Sequence, residues 1–303
     1  MRASSRPPAS IDAATHPEPP HARALGFRVR RFAGSLDHSE RLDHLRVAHL
    51  TDLHVGRVTP FNVQKMAVRL TNEARADVVV ITGDFVCHSQ LYLDQLTEVV
   101  ASFDAPVVCV LGNHDYWAGA AEVRRALLRG GAEVLSNEHT VLKLRGQELQ
   151  VVGLDDAYTG HASLESATRG LRSDLPTLGL SHIAEEAEAL WSRGVPLVLS
   201  GHTHAGQVTL ARLHELAIGR LAGHKYVHGL YGNRATDGAV YVGAGVGASV
   251  MPVRLGERGR RELTLFELGH APGSFVEPFG EQARRRGRKP SPRLQYLRAA
   301  KVI

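Results

Sequence analysis

The sequence predicts an α/β fold with parallel strands, on three observations. Short runs rich in Val, Leu and Ile alternate with segments of helical periodicity. The runs are apolar at successive positions rather than at every second one, as in strands buried on both faces. They end on polar residues or glycine, where the loops of an open α/β sheet converge. Composition agrees: 43% hydrophobic and 22% charged residues over 303 positions can bury a real core, which excludes collagenous, disordered and disulfide-stapled classes. The only cysteines, Cys87 and Cys109, are expected as reduced thiols packed like small hydrophobes.

Taken in order, residues 1–44 are expected as a partly disordered leader. Residues 1–24 hold five prolines, and no apolar stretch of a secretory signal is visible in them. The pattern changes at Leu45. Arg46–Thr51, Val78–Thr82 and Val107–Leu111 read as buried strands. Between them Val63, Met66, Ala67, Leu70 and Ala74 recur at helical spacing, and Leu91–Phe103 behaves similarly. Further strands are expected at Glu148–Gly153, Thr177–Ser181, Pro196–Ser200, Ala239–Gly243 and Glu262–Glu267. The globular domain is thus assigned to 45–280, followed by a tail, 281–303. The charge-free run Gly238–Val253 is sixteen residues long and broken by glycines, too short to span a bilayer, so a cytoplasmic location is expected.

The chemistry sits where those strands end. The first runs into Asp52-Leu53-His54, the second into Gly83-Asp84, the third into Gly112-Asn113-His114-Asp115. Later strands end at His182 and at Gly201-His202-Thr203-His204. If those segments stay extended, residues two apart face the same side, which pairs Asp52 with His54 and His202 with His204. The glycines just before these residues suit a backbone that turns sharply or approaches a ligand closely. Seven oxygen or nitrogen donors would meet: Asp52, His54, Asp84, Asn113, His182, His202 and His204. Carboxylate, imidazole and amide without thiolate is the donor set of a two-metal hydrolytic centre for Mn, Fe or Zn, not of a structural zinc knot.

This ordered set resembles that of the calcineurin-like metallophosphoesterases. The resemblance covers about residues 45–268. It extends through Tyr116-Trp117, Ala205-Gly206-Gln207-Val208, Lys225-Tyr226 and Gly229-Leu230-Tyr231, which look like a bacterial branch whose members often carry an N-terminal membrane anchor. No such anchor is read in this sequence. The resemblance implies a four-layer α/β/β/α sandwich with mixed sheets and two divalent metal ions bridged by Asp84. Asp52, His54 and His204 would complete one site, and Asn113, His182 and His202 the other. It implies in-line attack on a phosphodiester or phosphomonoester by a hydroxide shared between the metals. His114 would serve as general acid or charge stabiliser at the leaving oxygen, with Asp115 orienting its imidazole. The family often has Asn-Pro-Asp after the His182 position, where this chain has Ile183-Ala184-Glu185. Related chemistry includes pyrophosphatases of nucleotide-linked lipids of the UDP-2,3-diacylglucosamine type. A scaffold that had lost catalysis would be expected to lack some of these residues, all of which are present.

Blander expectations stand beside these. Tyr116 and Trp117 either stack on a leaving group or pack in the core. Lys225, Tyr226 and Tyr231 either meet substrate or hold a loop. Asp155-Asp156 is expected as a solvated turn, His49 as packed in its strand, and the other histidines outside the constellation, His88, His139 and His161 among them, as surface or ordinary hydrogen-bonded residues. The net charge of +5 arises in the tail, where residues 281–303 carry eight Lys and Arg against Glu281. Leu294, Tyr296, Leu297, Val302 and Ile303 interleaved with its cations point to peripheral contact of that tail with anionic lipid, beside the simpler reading of a solvated tail. No specific nucleic-acid partner is evident, because no basic platform with aromatic residues is present.

Residues 46–280 carry 21 basic and 25 acidic side chains, so attraction for a phosphoester substrate would come largely from the two divalent ions. Metal-stripped protein should therefore bind a phosphoester far more weakly than metal-loaded protein in a calorimetric titration. Equal affinity would refute this.

Overall fold

Two six-stranded sheets lie face to face, with helices on both outer surfaces. The computed structural model describes residues 25–206, 224–234, 238–248, 254 and 259–275. The first sheet has strand order β1 (Phe27–Ala33), β12 (Arg261–Glu267), β2 (Arg46–Leu50), β3 (Val78–Thr82), β4 (Val107–Val110) and β5 (Glu133–Val134). The second runs β10 (Gly229–Asn233), β11 (Gly238–Val242), β9 (Leu197–Ser200), β8 (Thr177–Leu180), β7 (Gln147–Gly153) and β6 (Glu138–Leu144). Both are mixed: β2 to β5 and β7 to β9 are parallel, while β12 against β2, β6 against β7 and β10 against β11 are antiparallel. The expected four-layer sandwich is what is observed.

Residue alternation explains the layers. In β3, Val78 and Val80 point into the core between the sheets, while Val79 and Ile81 point out against helices α2 (Phe61–Glu73), α3 (Leu93–Ala101) and α4 (Asn113–Arg129). In β9, Leu197 and Leu199 join the same central core, and Val198 faces α5 (Ala187–Trp191). A strand with both faces covered has no polar side, which is why these runs read as unbroken Val, Leu and Ile. Parallel strands then need crossovers, which the helices supply, so consecutive strands deliver their carboxyl ends to one edge.

The expected leader does not extend to residue 44. β1 lies on the edge of the first sheet and pairs in parallel with β12 from Phe27 opposite Arg261 to Ala33 opposite Glu267. Its signal was obscured because charged residues interrupt it, yet Arg30 is buried, with Nη1 3.4 Å from the Glu262 carboxylate. Phe27 and Phe32 are fully buried. The short helix α1 (Leu36–Arg41) follows, capped by the Ser35 hydroxyl. Its His38 is fully buried and donates from Nε2 to the Thr177 carbonyl at 3.0 Å. Burial lowers that imidazole to about 4, so it stays neutral. Residues 1–24 and the tail 281–303 lie outside the described residues. No helix among the described residues is long and apolar enough to cross a membrane.

If β1 is integral, Phe32→Ala should destabilise the protein by roughly 3–5 kcal/mol, as for other buried aromatic truncations. A denaturant titration should show a lower midpoint with unchanged slope. A midpoint within error of wild type would return β1 to the leader.

Candidate metal centre

Five strands end at one place. After β2 the chain enters Thr51-Asp52-Leu53-His54; after β3, Gly83-Asp84; after β4, Gly112 and then Asn113 at the start of α4. After β8 comes His182, and after β9 His202 and His204. All seven expected donors are brought together there, in two groups that share Asp84.

In the first group His54 Nε2 is 2.9 Å from His204 Nε2 and 3.7 Å from Asp84 Oδ2, and His204 Nε2 is 3.3 Å from Asp52 Oδ1. In the second, His182 Nε2 lies 3.4 Å from Asp84 Oδ2, 3.2 Å from Asn113 Oδ1 and 3.2 Å from His202 Nδ1. Within each of the clusters Asp52, His54, Asp84, His204 and Asp84, His182, His202, one donor atom per residue falls within 4.8 Å of the others. The surroundings aim these atoms. Asp52 Oδ2 accepts from the Thr51 hydroxyl at 2.8 Å and from His202 N–H at 3.2 Å, and its Oδ1 is buried with no hydrogen-bond partner. His182 donates from Nδ1 to the Thr82 carbonyl at 2.7 Å, which turns the lone pair of Nε2 toward the site.

Electrostatics make the same point. Burial pushes His54 down to about 3 and holds His202 and His204 well below their usual range, so three imidazoles are neutral and able to ligate. Burial raises Asp52 to about 7, against the pull of His182 and with the help of Asp84. For His182 burial is outweighed by the Asp84 carboxylate, and the imidazole rises to about 10. Burial likewise would raise Asp84, but His182 holds it well below the usual carboxylate range. Without a cation, the site thus keeps a proton on His182 to balance Asp84 and destabilises a second buried charge on Asp52. The bare Asp52 oxygen, the neutral imidazoles and the absence of thiolate all fit divalent metal ions.

Strand alternation is not what pairs Asp52 with His54, and His202 and His204, expected to face one site, fall in different groups. These residues leave the extended region: φ is +52° at Asp52, +43° at His54, +55° at Asp84, +74° at His202 and +51° at His204. A left-handed backbone costs a non-glycine residue about 1–2 kcal/mol, and five of seven donors carry it. The turns arise because each strand stops at the sheet edge and the chain must fold back over it. Gly112 is needed for a different reason, since a Cβ there would sit 2.3 Å from Asp84 Oδ1.

The role expected for Asp115 is also corrected. Its carboxylate accepts from the N–H groups of Phe85, Val86 and Gly112, at 2.8, 3.2 and 2.9 Å, and so ties the loop after β3 to the loop after β4. The His114 ring is oriented instead by the Cys87 carbonyl, 2.7 Å from Nδ1. Its Nε2 stands 4.0 Å from Asp84 Oδ2, and its own N–H donates to Asp84 Oδ1 at 2.9 Å.

The family model for calcineurin-like phosphoesterases matches residues 45–206, more than half of the chain. The chain belongs to that family. It is 29% identical over 234 residues to the uncharacterized metallophosphoesterase YkuE of Bacillus subtilis, covering 75% of this chain and 79% of that one. It is also 29% identical over 229 residues to the phosphodiesterase YaeI of Escherichia coli, covering 74% and 82%. Among solved structures it is similar to TT1561 of Thermus thermophilus, at 14% identity and a TM-score of 0.47, covering 67% of this chain and 90% of that one.

In this metallophosphoesterase several contacts escaped the sequence reading. Asp155 and Asp156 are buried rather than solvated: Ser136 donates to Asp155, and the N–H and hydroxyl of Thr159 both bond Asp156 Oδ2 at 2.6 Å. Glu185, in the unusual Ile183-Ala184-Glu185 segment, accepts from Lys225 N–H at 2.8 Å and lies 3.3 Å from His224 Nδ1. The His224 ring packs edge-on against His202, so this segment still buttresses the second group. Lys225 and Tyr226 both bond Glu188, and the Tyr231 hydroxyl accepts from Val227 and His228 N–H, which gives these three residues loop-holding contacts. His49 is buried in its strand, 2.9 Å from the Thr82 hydroxyl. Arg254 reaches the carbonyls of Ala244 and Gly247 and lies 3.2 Å from His204 Nδ1. No spacing in the sequence marks it.

Asp52 yields a pH test. Its folded pKa lies above the unfolded value of 3.8, so its contribution to stability is present at low pH and lost as pH rises toward 7. Metal-free Asp52→Asn protein should therefore melt several degrees above metal-free wild type at pH 8, with the gap closing toward pH 4. A gap independent of pH would contradict the buried-carboxylate account.

Proposed function

We propose that this chain is a dinuclear metal-dependent phosphoesterase that hydrolyses a phosphodiester or phosphomonoester. The observation that carries the reading is the position of Asp84, shared between two donor groups with His114 Nε2 4.0 Å away. Two divalent cations, when bound, polarise the phosphoester oxygens and lower the pKa of the attacking water. Manganese, iron and zinc all suit the donor set.

The protein's own residues divide the remaining work. Asp52, His54 and His204 would hold one cation, and Asn113, His182 and His202 the other, with Asp84 within reach of both groups. His114 handles the proton of the leaving oxygen. With Nδ1–H committed to the Cys87 carbonyl, Nε2 is the nitrogen free to carry that proton toward the substrate. Asp115 keeps His114 and Asp84 in register by tying their loops together, without touching the proton. The relative named a phosphodiesterase favours a diester as substrate.

His114→Ala should lower kcat by roughly 10²- to 10⁴-fold while elemental analysis finds the metal content of wild type. Asp84→Asn should lose both metal content and turnover, and Asn113→Ala should lose mainly the metal of the second group. The substrate panel is a phosphomonoester, a phosphodiester and a nucleotide-sugar pyrophosphate; preference for the last would favour the pyrophosphatase reading. Full activity in Asp84→Asn would refute the two-metal assignment.

A further inference from the structure

Two of the largest exposed apolar side chains stand together at the mouth of the metal centre. Trp117 is 53% and Tyr158 38% exposed, and their rings meet edge to face at 6.0 Å. Trp117 also packs on His114, with centroids 4.8 Å apart, and lies nearly parallel to His88 at 5.9 Å. Tyr158 packs on His202 at 5.3 Å. The rings thus form a continuous wall from the proton-handling histidine to a metal-site histidine, with both Trp117 and Tyr158 partly exposed to water.

The fold holds this wall in place from three directions. Gly119, at φ +115°, breaks α4 just after Trp117, and a Cβ there would sit 2.5 Å from the Gln90 amide nitrogen that donates to the Ala118 carbonyl. The short segment 113–118 therefore diverges from the rest of α4 and carries Trp117 over the site. The Asp156 carboxylate pins the turn that bears Tyr158 through both Thr159 bonds. Tyr116 joins the two segments by stacking on His161 at 3.9 Å. Rings kept exposed yet restrained are suited to stack on a flat ligand at little entropic cost.

We propose that Trp117 and Tyr158 bind the base of a nucleoside phosphoester whose phosphate occupies the metal centre. Trp117 reaches the donors only through the His114 ring, whose Nε2 is 4.0 Å from Asp84 Oδ2, so a base stacked on Trp117 is set off from a phosphate at the metal centre by the width of an imidazole, the place of a sugar. The proposal rests on the phosphoesterase reading for the phosphate end. Stacking of a base on aromatic side chains is worth about 1–3 kcal/mol, roughly fivefold to a hundredfold in affinity.

The test uses manganese-loaded protein and the hydrolysis-resistant methylene phosphonate analogues of AMP and of ribose 5-phosphate, titrated by calorimetry. The AMP analogue should bind at least about fivefold tighter than the ribose analogue. Trp117→Ala and Tyr158→Ala should each drive that ratio toward one, and Trp117→Phe, which keeps a ring, should retain most of it. Equal binding of the two analogues to wild type, or a ratio unchanged in Trp117→Ala, overturns the proposal. If the same preparation hydrolyses phosphodiesters, the esterase reading survives that result; if it neither binds the analogues nor hydrolyses any ester, both fall.

Discussion

Two buried carboxylates within reach of the same histidine set the terms for the rest of this structure. Asp52 and Asp84 lie in a buried cluster where burial penalises every charge, and His182 balances only one of them. Such a cluster is tolerable only if positive charge is supplied. Both sheets hold the strand ends that create this burial. The central core, built from Val78 and Val80 on one side and Leu178, Leu180, Leu197 and Leu199 on the other, fixes the two strand bundles whose ends hold the donors.

The loops above that edge carry backbone strain that the sheets offset. Five donors in the left-handed region would relax in an isolated peptide. Here hydrogen bonds between loops hold them: Asp52 N–H donates to the Gly83 carbonyl at 3.0 Å, His54 N–H to the Asp84 carbonyl at 3.0 Å, and Gly201 N–H to the His182 carbonyl at 3.2 Å. Asp115 adds three more such bonds. The donors are therefore preorganised, so a cation meets a geometry already formed rather than one it must order. The same economy extends to Trp117 and Tyr158, whose positions follow from the Gly119 kink and the Asp156-pinned turn.

Which parts were legible follows from how local their causes are. The eight strands from Arg46 onward that the sequence predicts are found with ends shifted by a residue at most, because double burial demands unbroken apolar runs. β1 and β6 were missed because edge strands take charged and polar residues on a face that is half covered. The buried Arg30 is readable as core only once Glu262, more than two hundred residues away, is opposite it. Asp155 and Asp156 looked solvated for the same reason: Ser136 closes over one and Thr159 over the other only in the folded chain.

The sequence by itself determined the α/β class, the strand ends and the seven candidate donors, since apolar periodicity and residue chemistry are properties of short segments. Tertiary structure decided the rest. It showed that left-handed turns, not strand alternation, bring Asp52 to His54 and send His202 and His204 to different donor groups. It gave the orientation of His114 to the Cys87 carbonyl and that of the loops to Asp115, and it set Trp117 beside Tyr158. Each of these depends on which oxygen, N–H or ring lies within a few ångströms across loops distant in sequence, and only the packing of two sheets fixes that distance.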